Sequence, residues 1–110
     1  MTEEAHINDI GSIFRTTITE DGQPVDLTTA TVMKIKFEKK NRETFEVTAV
    51  LTLDDESNPV PGKMEYITVD GDLDIKGKWK VQGYVELSSG WKGHSAIGTF
   101  IVSPNIVIEV

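Results

Sequence analysis

Apolar and polar residues alternate with period two through most of the chain, the pattern of strands that bury one face and expose the other. In "SIFRTTITE" (12–20) Phe14, Thr16 and Ile18 share a face, and Asp21-Gly22 then supplies strong hairpin-turn chemistry. "PVDLTTAT" (24–31) carries Val25 and Leu27 inward through a connection in which Asp26 and Thr28 are expected to accept from nearby backbone amides. "TVMKIKFEKK" (31–40) sets Met33, Ile35 and Phe37 against Lys34, Lys36 and Glu38. After a polar turn, "TFEVTAVLTL" (44–53) groups Phe45, Val47, Ala49, Leu51 and Leu53, so the two segments are predicted to form a hairpin. "DDESNPVPG" (54–62), acidic and holding Pro59 and Pro61, reads as an exposed loop. "KMEYITV" (63–69) resumes the sheet with Met64, Tyr66 and Thr68 inward.

The longest strand signal is "KWKVQGYVEL" (78–87), with Trp79, Val81, Gly83, Val85 and Leu87 on one face and Lys80, Gln82, Tyr84 and Glu86 on the other. "SSGW" (88–91) turns the chain, and "SAIGTFIV" (95–102) returns as its hairpin partner. "NIVIEV" (105–110), after Pro104, alternates again and is expected to pair late, at a sheet edge. There is no convincing helical stretch of three turns. About seven short strands spaced near ten residues apart indicate an all-β, immunoglobulin-like β-sandwich, with a small barrel as the structural rival. The 110 residues suit one domain. Residues 10–103 are read as the sandwich, 1–9 as an N-terminal arm and 104–110 as a C-terminal strand or arm.

Charge narrows the partners. The formal net charge is −7, from 18 acidic and 11 basic residues. The richest basic stretch, "KIKFEKKNR" (34–42), is spread by alternation along one strand face and into a turn. That is poor material for neutralising phosphates, so no nucleic acid is expected as a partner, a packaged genome included. The chain has no cysteine, which excludes disulfides, thiolate metal sites and a cysteine nucleophile. No run of 18 apolar residues and no signal-peptide pattern occurs, so the protein is expected to be made in a cytoplasm and to hold no membrane span.

One stretch invites a chemical reading. In "TVDGDLDIKGKWKV" (68–81), Asp70, Asp72 and Asp74 fit positions one, three and five of a calcium loop. Position six is Ile75 and position twelve Val81, so the turn glycine and the bidentate glutamate are both missing. The bland reading is the corner leading into a central strand. Immunoglobulin-like domains place an acid, a small residue and an inward aromatic there, and Asp74, Gly77 and Trp79 follow that order. Asp74 is then expected to bond the corner's backbone amides, with Trp79 in the core one residue later than the usual tyrosine and able only to donate. Asp70 and Asp72 are left as exposed acids available to a basic partner.

Catalytic candidates are thin. His6 and His94 lack a nearby serine, acid or second histidine in a known spacing, and Ser88, Ser89 and Ser95 read as turn residues. Glu65 and Glu86 alternate outward, away from any paired-carboxylate geometry. No enzyme activity, cofactor or metal is expected. Tyr84, out of phase with Trp79 and Val81, and Trp91, after the Ser89-Gly90 turn, could mark a surface for a protein or a host glycan. The structural alternatives are that Tyr84 covers the outer sheet face and Trp91 folds back as a staple across the hairpin.

The ordered series of opening strand with "DG" turn, "VDLTTAT", "GKMEYITVDGDLDIKGKWKVQGYV" and "GTFIV" resembles a family of small immunoglobulin-like domains of tailed bacteriophages, similar to the N-terminal domain of baseplate upper proteins. The likeness covers about residues 10–103. It implies a non-enzymatic virion protein of tail, baseplate or capsid decoration, packing against other virion proteins and copies of itself. It carries no catalytic residues over. Baseplate upper proteins continue into further domains, whereas this sequence stops soon after the sandwich, which implies a free-standing virion protein. Both terminal segments are expected to dock on neighbours, with Ile106, Ile108 and Val110 forming the apolar side of an added strand.

Overall fold

A computed structural model describes residues 2–7 and 9–103, and among these there are strands and turns but no helix. The strands are β1 (Thr2–His6), β2 (Ile13–Thr17), β3 (Thr19–Glu20), β4 (Gln23–Pro24), β5 (Ala30–Glu38), β6 (Thr44–Thr48), β7 (Val50–Leu53), β8 (Pro59–Ile67), β9 (Gly77–Leu87), β10 (Lys92–His94) and β11 (Gly98–Ser103). One sheet runs β1-β11-β9-β5-β6, with β10 also on β9; a second runs β2-β8-β7, and β3 pairs with β4. The order β11-β9-β5 facing β2-β8-β7 is that of strands G-F-C and B-E-D in an immunoglobulin-like sandwich. The expected fold class is therefore the observed one.

Alternation explains the core. Phe14, Ile35, Phe37, Met64, Trp79, Val85 and Phe100 are all buried, each from the inward phase of its strand. Phe14 of the smaller sheet lies 4.6 Å from Phe100 and 5.4 Å from Phe37 of the larger one between ring centroids, so aromatic rings join the two sheets. The β5–β6 hairpin and the long β9 strand form as predicted, and Val25 and Leu27 are buried.

The strand count differs because two predicted strands are split where the chain bends and because β1, β4 and β10 form in segments read as arm, connection or turn. At Ile18 the first strand leaves its ladder, giving its N–H to Gly62 and its carbonyl to Val25 to start the β3–β4 hairpin. At Ala49 the chain passes from one sheet to the other, and a register shift between Leu51 and Leu53 follows. That slip reverses the phase: Thr52 is buried, and Leu53, expected inward, is exposed. At Ser95 the last hairpin bulges, and the Ser95 hydroxyl accepts the Gly83 N–H at 2.8 Å in place of a backbone carbonyl.

Two further expectations are corrected. The exposed loop shrinks to residues 54–58, because Pro59 begins β8 opposite Leu53, at a strand start where a missing N–H costs nothing. Residues 1–9, expected as an arm outside the sandwich, instead contribute β1, which pairs in parallel with β11 and covers what would be an open edge. In the β4–β5 connection the Asp26 carboxylate accepts the Thr28 N–H at 3.0 Å, as expected, but the Thr28 hydroxyl donates to Asp26 rather than accepting.

Candidate interaction surface

The corner between β8 and β9 is held by its acids in an unexpected division of labour. Asp72 accepts from the Val69 N–H at 2.8 Å and from the Tyr66 hydroxyl at 2.5 Å, so it closes the turn and ties it to β8. Asp74, expected to bond backbone amides, instead pairs with the Lys39 ammonium at 2.9 Å. The reason is spacing: the turn at Gly71, with φ 88°, brings the Asp72 carboxylate back over Val69, while Asp74 emerges beside the β5–β6 turn. Asp70 is exposed. Three aspartates in alternate positions therefore do three separate things, and among the described residues no three potential metal ligands converge.

Trp79 completes the corner. Its indole N–H donates to the Ile75 carbonyl at 2.9 Å, four residues upstream, so a tryptophan makes the backward hydrogen bond that a tyrosine makes in related corners.

Tyr66 offers a check on this geometry. Burial first, then the hydrogen bond to Asp72 and the charge of that carboxylate, push its phenol up to about 12 from an ordinary 10.0. A folded-state value above the unfolded one means stability is fully present below pH 10 and lost as pH rises towards 12. We expect the urea midpoint of the parent protein to fall across that window and that of Tyr66→Phe to fall less. Equal falls would show that Asp72 does not hold the phenol proton.

Tyr84 and Trp91 lie on opposite faces of the large sheet. Tyr84 points outward, its hydroxyl donating to Glu86 at 2.9 Å, a contact that raises its pKa, and its ring lies 4.8 Å from that of His94. Trp91 covers Gly93 so closely that an added Cβ there would clash with the indole ring, and it packs against the core beside Leu87. The two rings share no platform. Ile106, Ile108 and Val110 lie outside the described residues.

What the strand pattern did not single out is an aliphatic strip on the outer face of the three-stranded sheet. Ile13 stands directly opposite Ile67, and Val50 opposite Glu65 in the next row. Ile10 and Val69 extend the strip past the strand ends, where Gly11 N–H to the Thr68 carbonyl and Thr68 N–H to the Ser12 carbonyl prolong the ladder. These five side chains are between 41% and 66% exposed, while the Arg15–Glu65 ion pair at 3.1 Å flanks them. The available signal was apolar residues in both phases of one strand, "SIF" and "YITV", which marks a strand with a use for both faces.

The family model described as the BppU N-terminal domain matches residues 8–109. No curated protein sequence matches the chain. Among solved structures, the crystal structure of CopC from Methylosinus trichosporium OB3b superposes with a TM-score of 0.53 at 12% identity, over 98% of this chain and 89% of that one. At that identity the likeness shows a shared β-sandwich and nothing of function.

Proposed function

Because the chain belongs to the BppU N-terminal domain family, a family of phage baseplate structural domains and not a known enzyme family, we propose that it is a packing unit of the baseplate, joined to another virion protein through the outer face of its three-stranded sheet. The observation that carries this is the strip of Ile10, Ile13, Val50, Ile67 and Val69, solvent-exposed although the core beneath is already filled by the opposite phase of the same strands. Apolar side chains in a contiguous exposed row are the usual centre of a protein interface, and the Arg15–Glu65 pair supplies a polar rim.

Ile13→Asp with Ile67→Asp tests it. Both side chains point to solvent, so the double variant should keep the parent's circular dichroism and lose only part of its stability to urea, about 1 kcal/mol from two like charges placed opposite each other. Its incorporation into assembled baseplates, measured by quantitative immunoblot of purified particles, should drop at least tenfold. Incorporation at the parent level by a folded variant would refute the assignment of this face.

A further inference from the structure

Most of the cations of this acidic protein that have no ion pair among the described residues gather on one face. On the outer face of the large sheet, alternation places Lys34 and Lys36 of β5 and Lys78 and Lys80 of β9, with Lys34 opposite Tyr84, Lys36 opposite Gln82 and Glu38 opposite Lys80. At one end of that face, Glu38, Lys39, Lys40, Arg42, Lys78 and Lys80 line a shallow groove of about 340 Å³. Of its five cations only Lys39 has a carboxylate partner within 4.0 Å among the described residues. Six of the 11 basic residues of the chain thus stand on or beside one face with no ion pair among the described residues: Lys34, Lys36, Lys40, Arg42, Lys78 and Lys80.

Acids interrupt that face at Glu38, Glu46 and Glu86, but among the described residues unpaired acids also gather at a second place. The β3–β4 hairpin, turning through Asp21 (φ 51°) and Gly22 (φ 79°), runs alongside the start of β8, where Ile18 N–H bonds the Gly62 carbonyl and Pro24 packs on Gly62. The turn from β7 to β8 leads into the start of that same strand at Pro59. Glu20, Asp21, Asp55 and Glu56 on these two turns are all exposed and make no ion pair among the described residues, whereas Asp54 is engaged in capping its own turn. This acidic tip lies at the end of the molecule where β8 begins; the basic groove lies at the end where β8 passes through the corner to β9. The molecule is 55 Å long.

We propose that the basic groove receives the acidic tip of a second copy of this chain. The inference rests on the reading of the domain as a packing unit, and it names one of its partners. The two patches are complementary in sign, and a two-residue β-turn is a narrow projection suited to a shallow groove. Because groove and tip are different surfaces, each bound pair leaves one of each free, so the contact is head-to-tail and propagates to rings or chains instead of stopping at a dimer.

Salt separates this contact from apolar association by sign. Two copies of net charge −7 repel, so an apolar contact strengthens as salt screens that repulsion. A groove-to-tip contact weakens, since the Debye length falls from about 10 Å at 0.1 M to about 3 Å at 1 M salt. By sedimentation velocity, the 110-residue chain should form concentration-dependent oligomers at 0.1 M salt, with apparent affinity at least tenfold lower at 1 M. A groove variant (Lys36→Glu, Lys78→Glu, Lys80→Glu) and a tip variant (Glu20→Lys, Asp55→Lys, Glu56→Lys) should each be monomeric alone and associate when mixed. All six positions are exposed, so both variants should fold, as circular dichroism would verify.

Failure of the mixture to associate, oligomers strengthened by salt, or a parent chain that stays monomeric would each overturn the proposal. Loss of oligomers in Ile13→Asp, Ile67→Asp but not in the groove variant would overturn it also, by assigning the contact to the aliphatic strip. None of these results bears on whether the domain enters baseplates, which the immunoblot reads separately.

Discussion

Trp79→Ala should remove about 3–5 kcal/mol of stability, the range for deleting a fully buried large aromatic side chain. The side chain is wholly buried and its ring lies 5.6 Å from Phe100, 6.1 Å from Phe45 and 6.4 Å from Phe37. Truncation would open a cavity at the junction of the two sheets. It would also release the Ile75 carbonyl and the Lys39 ammonium, which sits 5.9 Å above the indole while pairing with Asp74. The corner and the β5–β6 turn are therefore held by one side chain. Against a total of about 5–15 kcal/mol for a small domain, the loss is a large share.

Trp79→Phe separates packing from the hydrogen bond. It keeps most of the ring contacts and loses the donor to Ile75, so a smaller cost of about 1–2 kcal/mol is expected. Urea denaturation followed by circular dichroism measures both, free of the fluorescence change that removing a tryptophan brings. Were Trp79→Ala to unfold within about 1 kcal/mol of the parent, the corner would not be a stabilising element, contrary to the burial argument.

The role of Trp79 is largely legible in the sequence, and the reason is physical. Inward alternation from Trp79 to Leu87 depends only on strand geometry, and the corner's acid, glycine and aromatic follow from what a tight connection needs. The hydrogen bond is less legible, because an indole one residue late can reach a carbonyl only if the corner bends to meet it. That bend is set by Asp72 closing on Val69, and strand periodicity says nothing of which of three aspartates will do so.

The breaks at Ile18, Ala49 and Ser95 are hidden for a related reason. Each lies where the chain changes partner, and a one-residue slip there is a property of the facing strand rather than of the local pattern. Leu53 shows the consequence, since everything before the slip has the predicted phase and Leu53 after it does not. The parallel pairing of β1 with β11 is equally out of reach, being a contact between residues about a hundred positions apart. For the aliphatic strip the signal is present but ambiguous: Ile13 and Ile67 could as well have been the second buried face of a central strand. Only the absence of a covering layer among the described residues turns them into surface.

Gly83 illustrates how a position that looks like ordinary strand grammar is fixed by the opposite sheet. It sits in the middle of β9, facing inward, where a side chain would normally be expected to fill the core. A Cβ built there would fall 2.5 Å from the Met64 Cε, 2.5 Å from the Thr16 Oγ1 and 3.1 Å from the Thr16 Cβ. β2 and β8 thus press their side chains onto bare backbone, which is how the three-stranded sheet comes close enough to seat its inner face. The Thr16 hydroxyl is buried there with no hydrogen-bond partner among the described residues, so packing holds it in place. Gly83→Ala is therefore expected to destabilise by about 1–3 kcal/mol through overpacking, although alanine otherwise suits a strand better than glycine. The methionine tip can swing away, whereas Thr16 is β-branched and stiff, so most of the strain should trace to Thr16. Thr16→Ala removes the hydroxyl and its unsatisfied oxygen together, and Gly83→Ala should cost distinctly less in that background. A double-mutant cycle from urea midpoints measures the coupling; equal costs in both backgrounds would place the steric limit at Met64 or in the β9 backbone.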